Sequence, residues 1–377
     1  MNDCWAVAKR SWNCIPRLFL HMEVFMENEA PIYATIDEQI EKLKKQGLII
    51  DDIDFAKTEL SLYGYSNLIK RYRDPYTIVS DGKKFYRSGI TFEQIWSLYI
   101  LDKNLRNAVM ASMLDLEEHI KEAAADVIAS KYGIDQNDYL QFRNFVNKKK
   151  RKERFSLPSI LDTLKAALDT DKNPIAHYSE KYGVVPPWIL FKSIYFSTIV
   201  NFINLFKPEE QSILASKLYD ENALNIHGKD LIFLMLDTLF ICIEYRNLAA
   251  HGGRIYNHVS KSRLRFASQT NNSIHGFSQL LFLLNMLNYQ FPFEHLSDSL
   301  NYELSRHCSM YPEDITYLSQ ILNVNIIQRT PVWITSKSNK YHMDRHCCGI
   351  KDPIELDLSE AKKNALQPCK KCCHEII

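Results

Sequence analysis

The sequence is short of glycine, of net charge and of long apolar runs, and each shortage narrows the possibilities. Only 11 of its 377 residues are glycine, and this scarcity, beside plentiful leucine, lysine and glutamate, favours helix over strand. The formal net charge is +1, so any contact with nucleic acid has to come from a local basic patch. A length of 377 residues with 46% hydrophobic residues is enough for about two or three domains.

No segment has the composition of a secretory signal or of a membrane span. Lys9 and Arg10 precede an apolar stretch, but charged residues interrupt that stretch. The longest apolar run, LIFLMLDTLFICI at 231–243, is 13 residues long and contains an aspartate, so it is too short to cross a bilayer. We therefore expect a cytoplasmic protein without a membrane partner.

Helical patterns fill most of the chain and predict an all-α body followed by a small α+β module. We expect an N-terminal tail over 1–30, a helical domain over 31–327 and a terminal module over 328–377, with no strand before residue 332. TIDEQIEKLKKQG at 35–47 has a threonine as N-cap and a glycine that ends the helix, and the longest helix opens with a capping box at Thr91. Further helices are expected at 54–74, 158–169, 187–206, 208–219, 229–250, 275–291, 295–307 and 312–322.

One segment is strongly basic. RNFVNKKKRKERF, at 143–155, has seven basic residues against one glutamate. Such a run is usually a solvated loop, but in a neutral chain it is also a candidate arm for contact with RNA phosphates. The candidate RNA-binding residues within it are Lys148, Lys149, Lys150 and Arg151.

The stretch EYRNLAAHGGRIYN, at 244–257, places an arginine and a histidine at a predicted helix end. Cleavage of RNA by its own 2′-hydroxyl needs a group that moves protons and a cation that stabilises charge on the phosphoryl oxygens. Histidine suits the first task near neutral pH and arginine the second, so no catalytic metal is needed. On a straight helix Arg246 and His251 lie roughly 140° apart. The glycines after His251 should release it from helical register, and a complete acid–base pair would need a second copy in a dimer.

RNLAAHGGRIYN resembles the RN-x-x-AH-x-x-R-x-x-N signature of HEPN-domain proteins in the Abi (abortive infection) AbiD/AbiF-like family. Other blocks are similar to that family in the same order: IDEQIEKLKKQGLIIDD, DKNLRNAVMASMLDLEEHIKEAAADVIASKYG and PPWILFKSIYF. Many relatives have a second histidine where this sequence has Gly252. The resemblance implies a HEPN endoribonuclease of phage defence, in which two motifs from a dimer form one composite site. Some relatives are associated with a small noncoding RNA.

The resemblance also implies roles for individual residues. Arg246 and His251 would be catalytic, and Asn247 would orient them. Arg254 and Asn257 would contact the RNA. The supporting polar positions on the long upstream helix are Asp102, Arg106, Glu117 and Lys121, although the first two also fit an ordinary helical ion pair.

Five of the nine cysteines fall in the last 31 residues, which indicates a reduced chain with a terminal metal site. The spacing His-x-x-x-x-Cys and Cys-x-x-Cys is typical of a structural zinc site without an open catalytic position. The segment is also similar to a small zinc-binding module that is appended to diverse proteins, often nucleases, and the choice of Cys347 over Cys348 rests on that resemblance. The predicted ligands are His342, Cys347, Cys369 and Cys372. His346, Cys348, Cys373 and His374 stay open as substitutes.

These patterns leave three functions open. The leading hypothesis is a dimeric endoribonuclease with no catalytic cofactor and a structural zinc ion. The first alternative is a non-catalytic RNA-binding or sensing protein that docks a structured RNA and recruits a partner. The second is a zinc-dependent nuclease with catalysis in the terminal module, which is disfavoured because four protein ligands leave no open position on the metal.

Overall fold

The computed structural model describes residues 33–148, 152–262, 264–265, 274–326, 331–336, 338–347 and 350–373. The chain divides into two compact units, Met1–Trp96 and Ser97–Ile377. The predicted tail over 1–30 lies outside the described residues, and the predicted boundaries at 30/31 and 327/328 stay predictions. Among the described residues, no helix combines the length and the apolar character needed to cross a membrane.

The first unit begins with two helices whose ends follow local sequence signals. Its elements are α1 (Ile36–Lys45), α2 (Ile53–Tyr63), β1 (Thr77–Ser80) and β2 (Lys83–Tyr86). The Thr35 side chain accepts the backbone N–H of Glu38, and the Glu38 carboxylate accepts the N–H of Thr35. This capping box confirms the predicted start of α1. The helix predicted over 54–74 is interrupted: Gly64, at φ +78, ends α2, and a separate π-helix follows over Ser66–Lys70.

A β-hairpin in this unit contradicts the expectation that no strand precedes residue 332. β1 pairs antiparallel with β2, with Thr77 opposite Tyr86 and Ser80 opposite Lys83. The connecting Asp81 and Gly82 both have positive φ, +47 and +73. A two-residue turn of this kind prefers the sequence Asp-Gly, because its backbone twist matches that of the strands. The dipeptide is therefore a hairpin signal, but the strands that flank it are only four residues each.

The second unit is a helical body built around α11. Its helices are α3 (Phe92–Tyr132, which begins in the first unit), α4 (Gln136–Tyr139), α5 (Leu157–Ala166), α6 (Ile175–Tyr182), α7 (Pro187–Leu190), α8 (Phe196–Ile203), α9 (Pro208–Leu218), α10 (Glu221–Leu224), α11 (Gly228–Ala250), α12 (Phe277–Asn285), α13 (Phe291–Met310) and α14 (Ile315–Leu322). α11 packs against α8, α9 and α12. The single helix predicted over 187–206 is broken, since the backbone is extended at Tyr195 and α8 starts after it.

The terminal segment, which belongs to the second unit, consists of short strands and one helix around a hydrophobic cluster of its own. β3 (Pro331–Ile334) pairs antiparallel with β5 (Ile354–Asp357), and β4 (Lys340–Tyr341) pairs parallel with β6 (Gln367–Pro368). The helix α15 (Leu358–Lys363) follows β5. The buried hydrophobic residues of the terminal module are Val332, Tyr341, Ala361, Cys369 and Cys373. The predicted class, an all-α body with a small α+β module, is confirmed.

Candidate functional site

Two glycines fix the end of α11. The N–H of Gly252 donates to the carbonyl of Ala249 at 3.1 Å, and the N–H of Gly253 donates to the carbonyl of Leu248 at 2.7 Å. This pair of bonds is the Schellman motif, which requires a left-handed residue at the first glycine; Gly252 has φ +66. A Cβ on Gly253 would lie 2.6 Å from Cγ of Leu248. His251, the C-cap, has ψ 14 and has already left helical geometry.

Asp102 fixes the loop that follows these glycines. Its Oδ1 accepts the backbone N–H of Ile255 at 2.7 Å and that of Tyr256 at 2.8 Å. Its Oδ2 pairs with Nη1 of Arg106 at 3.1 Å, and the same Nη1 donates to the carbonyl of Gly253 at 3.4 Å. Asp102 is 0% exposed, so these charge-assisted bonds stabilise the loop strongly. Asp102 and Arg106 thus form the predicted ion pair within α3, and together they also hold the loop after α11.

Arg246 and Asn247 line a cavity of about 70 Å³, together with Tyr195, Phe196, Ser197 and Ile243. Nη1 of Arg246 makes a long hydrogen bond of 3.5 Å to Oδ1 of Asn247. In the described part of the chain, the buried Nε of Arg246 has no hydrogen-bond partner. A guanidinium with unused donors suits an oxyanion such as a phosphoryl group. The cavity is far smaller than the roughly 300–1,000 Å³ of a small-molecule pocket, so it has room for at most one such group and not for a whole nucleotide.

His251 lies outside the lining of this cavity and is exposed. Its backbone N–H donates to the carbonyl of Asn247 at 3.1 Å. Arg254 and Asn257 are half-buried in the loop after it. One copy of the chain therefore brings Arg246 and Asn247 together but leaves the imidazole at the surface beyond the helix end.

The other predicted residues that the structure describes belong to α3 and to the segment before α5. Glu117 and Lys121 are each 9% exposed and form an ion pair of 2.7 Å along α3, which is a packing role. Nζ of Lys148 donates to the carbonyl of Asn204, directly after α8, at 2.9 Å. The remaining basic residues predicted to bind RNA lie outside the described residues: Lys149, Lys150 and Arg151.

A hydrogen-bonded chain of serine, histidine and aspartate has no signal in the sequence, because its members are far apart along the chain. Oγ of Ser97 lies 2.9 Å from Nδ1 of His307, and Nε2 of His307 lies 2.9 Å from Oδ2 of Asp314. These are the residue types of a hydrolase triad, but the three are 1%, 0% and 4% exposed. No substrate reaches them, so we interpret the chain as a satisfied polar network that joins α3, α13 and the start of α14.

The terminal cluster brings the four predicted metal ligands together. One ligand atom from each of His342, Cys347, Cys369 and Cys372 lies within 4.8 Å of the others. The sulfurs of Cys347 and Cys369 are 3.9 Å apart, and Sγ of Cys372 is 3.7 Å from Nδ1 of His342. Bond lengths of about 2.3 Å to sulfur and 2.0 Å to nitrogen put tetrahedral zinc ligands about 3.5–3.8 Å apart. The cluster could therefore hold a metal ion, and its geometry is compatible with zinc.

The electrostatics of the cluster favour the protonation states that bind metal. Burial alone would raise the pKa of the Cys369 thiol, but the backbone N–H groups of Lys371 and Cys372 stabilise the thiolate and lower that pKa to about 7. Burial and then the nearby Lys340 lower the pKa of His342, which leaves the imidazole neutral. A thiolate and a neutral imidazole are the forms that donate electron pairs to a metal.

The substitute ligands left open by the sequence are less suitable where they can be described. Cys373 is buried, its Sγ contacts the carbonyl oxygen of Tyr341 at 3.7 Å, and burial raises the pKa of its thiol. His346 is exposed and does not belong to the four-residue cluster. Cys348 and His374 lie outside the described residues.

Fold and site together define a helical protein with an arginine and a histidine at a helix end and with a terminal cysteine–histidine cluster. The profile of the family described as Abi-like protein matches residues 58–257. That range contains α3, α8, α11 and the loop to Asn257. The chain belongs to this family of Abi-like proteins, and membership suggests phage defence by abortive infection. No curated protein and no solved structure matches the chain.

Proposed function

We propose that this protein is a HEPN endoribonuclease of abortive infection, which cleaves RNA without a catalytic metal ion. The RNA 2′-hydroxyl attacks the adjacent phosphorus, and the bond from phosphorus to the 5′-oxygen breaks. The products carry a 2′,3′-cyclic phosphate and a 5′-hydroxyl. One group must take the proton of the 2′-hydroxyl, and another must give a proton to the leaving oxygen.

Arg246 supplies the observation that carries this proposal. Its Nε is buried without a hydrogen-bond partner in the described part of the chain, and its guanidinium lines a cavity that holds one oxyanion. Donors that no folding contact uses can bind the phosphoryl oxygens and stabilise the charge that develops on them. Asn247 orients the guanidinium through its side-chain oxygen.

His251 is the proton-transfer group in this proposal. It is exposed at the C-cap of α11 and outside the lining of the Arg246 cavity. The motif contains one histidine, and one imidazole cannot act as acid and base in the same step. A homodimer with two motifs facing one phosphate would therefore complete the site. The half-buried Arg254 and Asn257 and the basic segment from Lys148 would contact the RNA.

Zinc has a structural role in this proposal. The four ligands of the terminal cluster leave no open position for a reacting water or phosphate. The hydrophobic core of the described part of this module has only five buried residues, so metal binding would supply much of the folding free energy. The active site on α11 would then work in the presence of a chelator.

The test is cleavage of a labelled single-stranded RNA by the purified protein, with and without EDTA. We expect EDTA-resistant cleavage with 2′,3′-cyclic phosphate ends, lost in His251→Ala and absent on DNA of the same sequence. His177→Ala is the matched control, since His177 is an exposed histidine on α6 and should leave cleavage unchanged. Tight RNA binding without cleavage would favour the non-catalytic alternative. Cleavage that EDTA abolishes and His251→Ala retains would favour the zinc nuclease.

A further inference from the structure

Tyr195 is an exposed aromatic residue at the edge of the Arg246 cavity. It is the N-cap of α8, where the break after α7 turns the backbone. Its side chain is 79% exposed, although Tyr195 also contributes to the lining of the cavity. The neighbouring Phe196 is buried, so the phenol ring of Tyr195 is the aromatic surface that this edge presents to solvent.

The size of the cavity determines which part of a nucleotide can contact Tyr195. About 70 Å³ accommodates a phosphoryl group beside Arg246, whereas a nucleobase attached to that phosphate has to stay outside. Bases of single-stranded RNA stack on aromatic side chains, because every base presents a π-face. The ring at the cavity edge lies where such a base would be.

Basic side chains lie at the other end of α8. Nζ of Lys148 binds the carbonyl of Asn204, nine residues beyond Tyr195. Nine helical residues span about 13 Å, which a strand rising about 3.4 Å per phosphate covers in about four nucleotides. This cation is therefore at a distance that the same short RNA strand can reach.

Arg265 adds a second cation at that end. It forms an ion pair of 2.7 Å with the buried Asp237 on α11, nine residues before Arg246. Partial burial and then the charge of the nearby Arg265 lower the pKa of Lys148. Asp237 offsets the charge of Arg265, and Lys148, which donates to a backbone carbonyl, adds a further positive charge for a phosphate.

We infer that Tyr195 is a base-stacking residue for an RNA strand whose phosphate enters the Arg246 cavity and which continues along α8 to Lys148 and Arg265. This inference rests on the proposed function, since it assumes that the cavity receives an RNA phosphate. It assigns recognition of single-stranded RNA to the segment between α7 and α8, which lies outside the arginine–histidine motif at 246–257.

The test is binding of fluorescein-labelled octauridine to the full-length chain carrying His251→Ala, which prevents turnover, measured by anisotropy over a series of salt concentrations. We expect Tyr195→Ala to weaken binding about tenfold, as loss of one stacked base does, and Tyr195→Phe to keep the affinity. Lys148→Ala should lower the slope of log affinity against log salt by about 0.7, the value for one phosphate contact on a single strand. Tyr195→Ala should leave that slope unchanged.

Tyr302→Ala is the matched control, because Tyr302 is an exposed tyrosine on α13 outside the cavity lining. If Tyr195→Ala binds octauridine as well as Tyr302→Ala does, the inference is wrong. If Tyr195→Ala instead changes the oligomeric state in light scattering while affinity per site is kept, Tyr195 is a protein contact and the inference is also wrong.

Cleavage by the chain with His251 intact separates this inference from the proposed function. Cleavage that depends on Arg246 and His251, with octauridine binding indifferent to Tyr195→Ala, would overturn the inference alone. Binding that depends on Tyr195, with no cleavage of any RNA, would overturn the proposed catalysis and support the binding site.

Discussion

The end of α11 and the terminal module differ in whether the side chains proposed to be functional also hold the local fold. At the end of α11, the loop is held by backbone bonds from the two glycines and by the carboxylate of Asp102, while Arg246 and His251 make few contacts of their own. In the module, Cys369 is both a predicted metal ligand and one of the five buried residues of the core. We therefore expect the first region to stay folded without the side chains proposed to be catalytic, and the second to unfold without its predicted ligands.

This difference indicates where a substitution can change activity without changing the stability of the fold. A substitution at the cysteine–histidine cluster should change structure first, and any functional effect would follow from that. A substitution at Arg246 should change chemistry and leave structure alone. The predictions below rank the expected effects on folding from the largest to the smallest.

Cys369→Ser should abolish metal binding and unfold the terminal module. Structural zinc contributes on the order of 10 kcal/mol of binding free energy to small domains, far more than a core of five buried residues supplies. The measurement is zinc content by mass spectrometry, combined with limited proteolysis of the segment after residue 331. Cys373→Ala is the control and should retain zinc, because Cys373 stays outside the cluster. Loss of zinc from Cys373→Ala, or its retention by Cys369→Ser, would show that the ligands are wrongly assigned.

Asp102→Ala should destabilise the second unit by about 3–5 kcal/mol, since it removes the carboxylate partner of the half-buried Arg106 and the acceptor of two buried N–H groups. Chemical denaturation followed by fluorescence measures this change. Asp126→Ala, which removes an exposed ion pair with Lys217, should cost less than about 1 kcal/mol. Equal effects from the two variants would mean that Asp102 does not hold the loop.

Gly253→Ala should cost about 2–3 kcal/mol, because the new Cβ overlaps Leu248 and overpacking is destabilising. Gly252→Ala should cost only about 1 kcal/mol, since its Cβ meets open space and only the left-handed backbone is strained. Adding Leu248→Ala should reduce the destabilisation caused by Gly253→Ala and leave that caused by Gly252→Ala unchanged. A double-mutant cycle on thermal unfolding checks this, and additive effects would contradict the predicted overlap.

Much of the architecture follows from local signals in the sequence. The capping box at Thr35, the all-α body and the cysteine–histidine spacing each depend on residues close together in the chain. The hairpin at Asp81–Gly82 was missed although its turn signal is local, because the flanking strands are only four residues each. The break before α8 was missed because apolar residues lie on both sides of it and only Lys192 and Ser193 interrupt them.

The geometry of the site could not be predicted in the same way. Asp102 reaches Ile255 and Tyr256, which lie more than 150 residues further along the chain, and helical spacing shows only its nearer partner Arg106. Tyr195 comes to the Arg246 cavity through the packing of α8 against α11. Such long-range contacts depend on tertiary packing, which periodicity does not encode.

The central claim is that Arg246 and His251 serve chemistry and not folding. The measurement that tests it most directly is thermal unfolding beside RNA cleavage for Arg246→Ala, His251→Ala and the parent protein. We predict that each variant unfolds at the parent temperature, because the contacts that end α11 are untouched, and that each loses cleavage at least a hundredfold, on the order of one lost transition-state contact. Parent-level cleavage by either variant, or loss of cleavage only together with loss of stability, would contradict the claim.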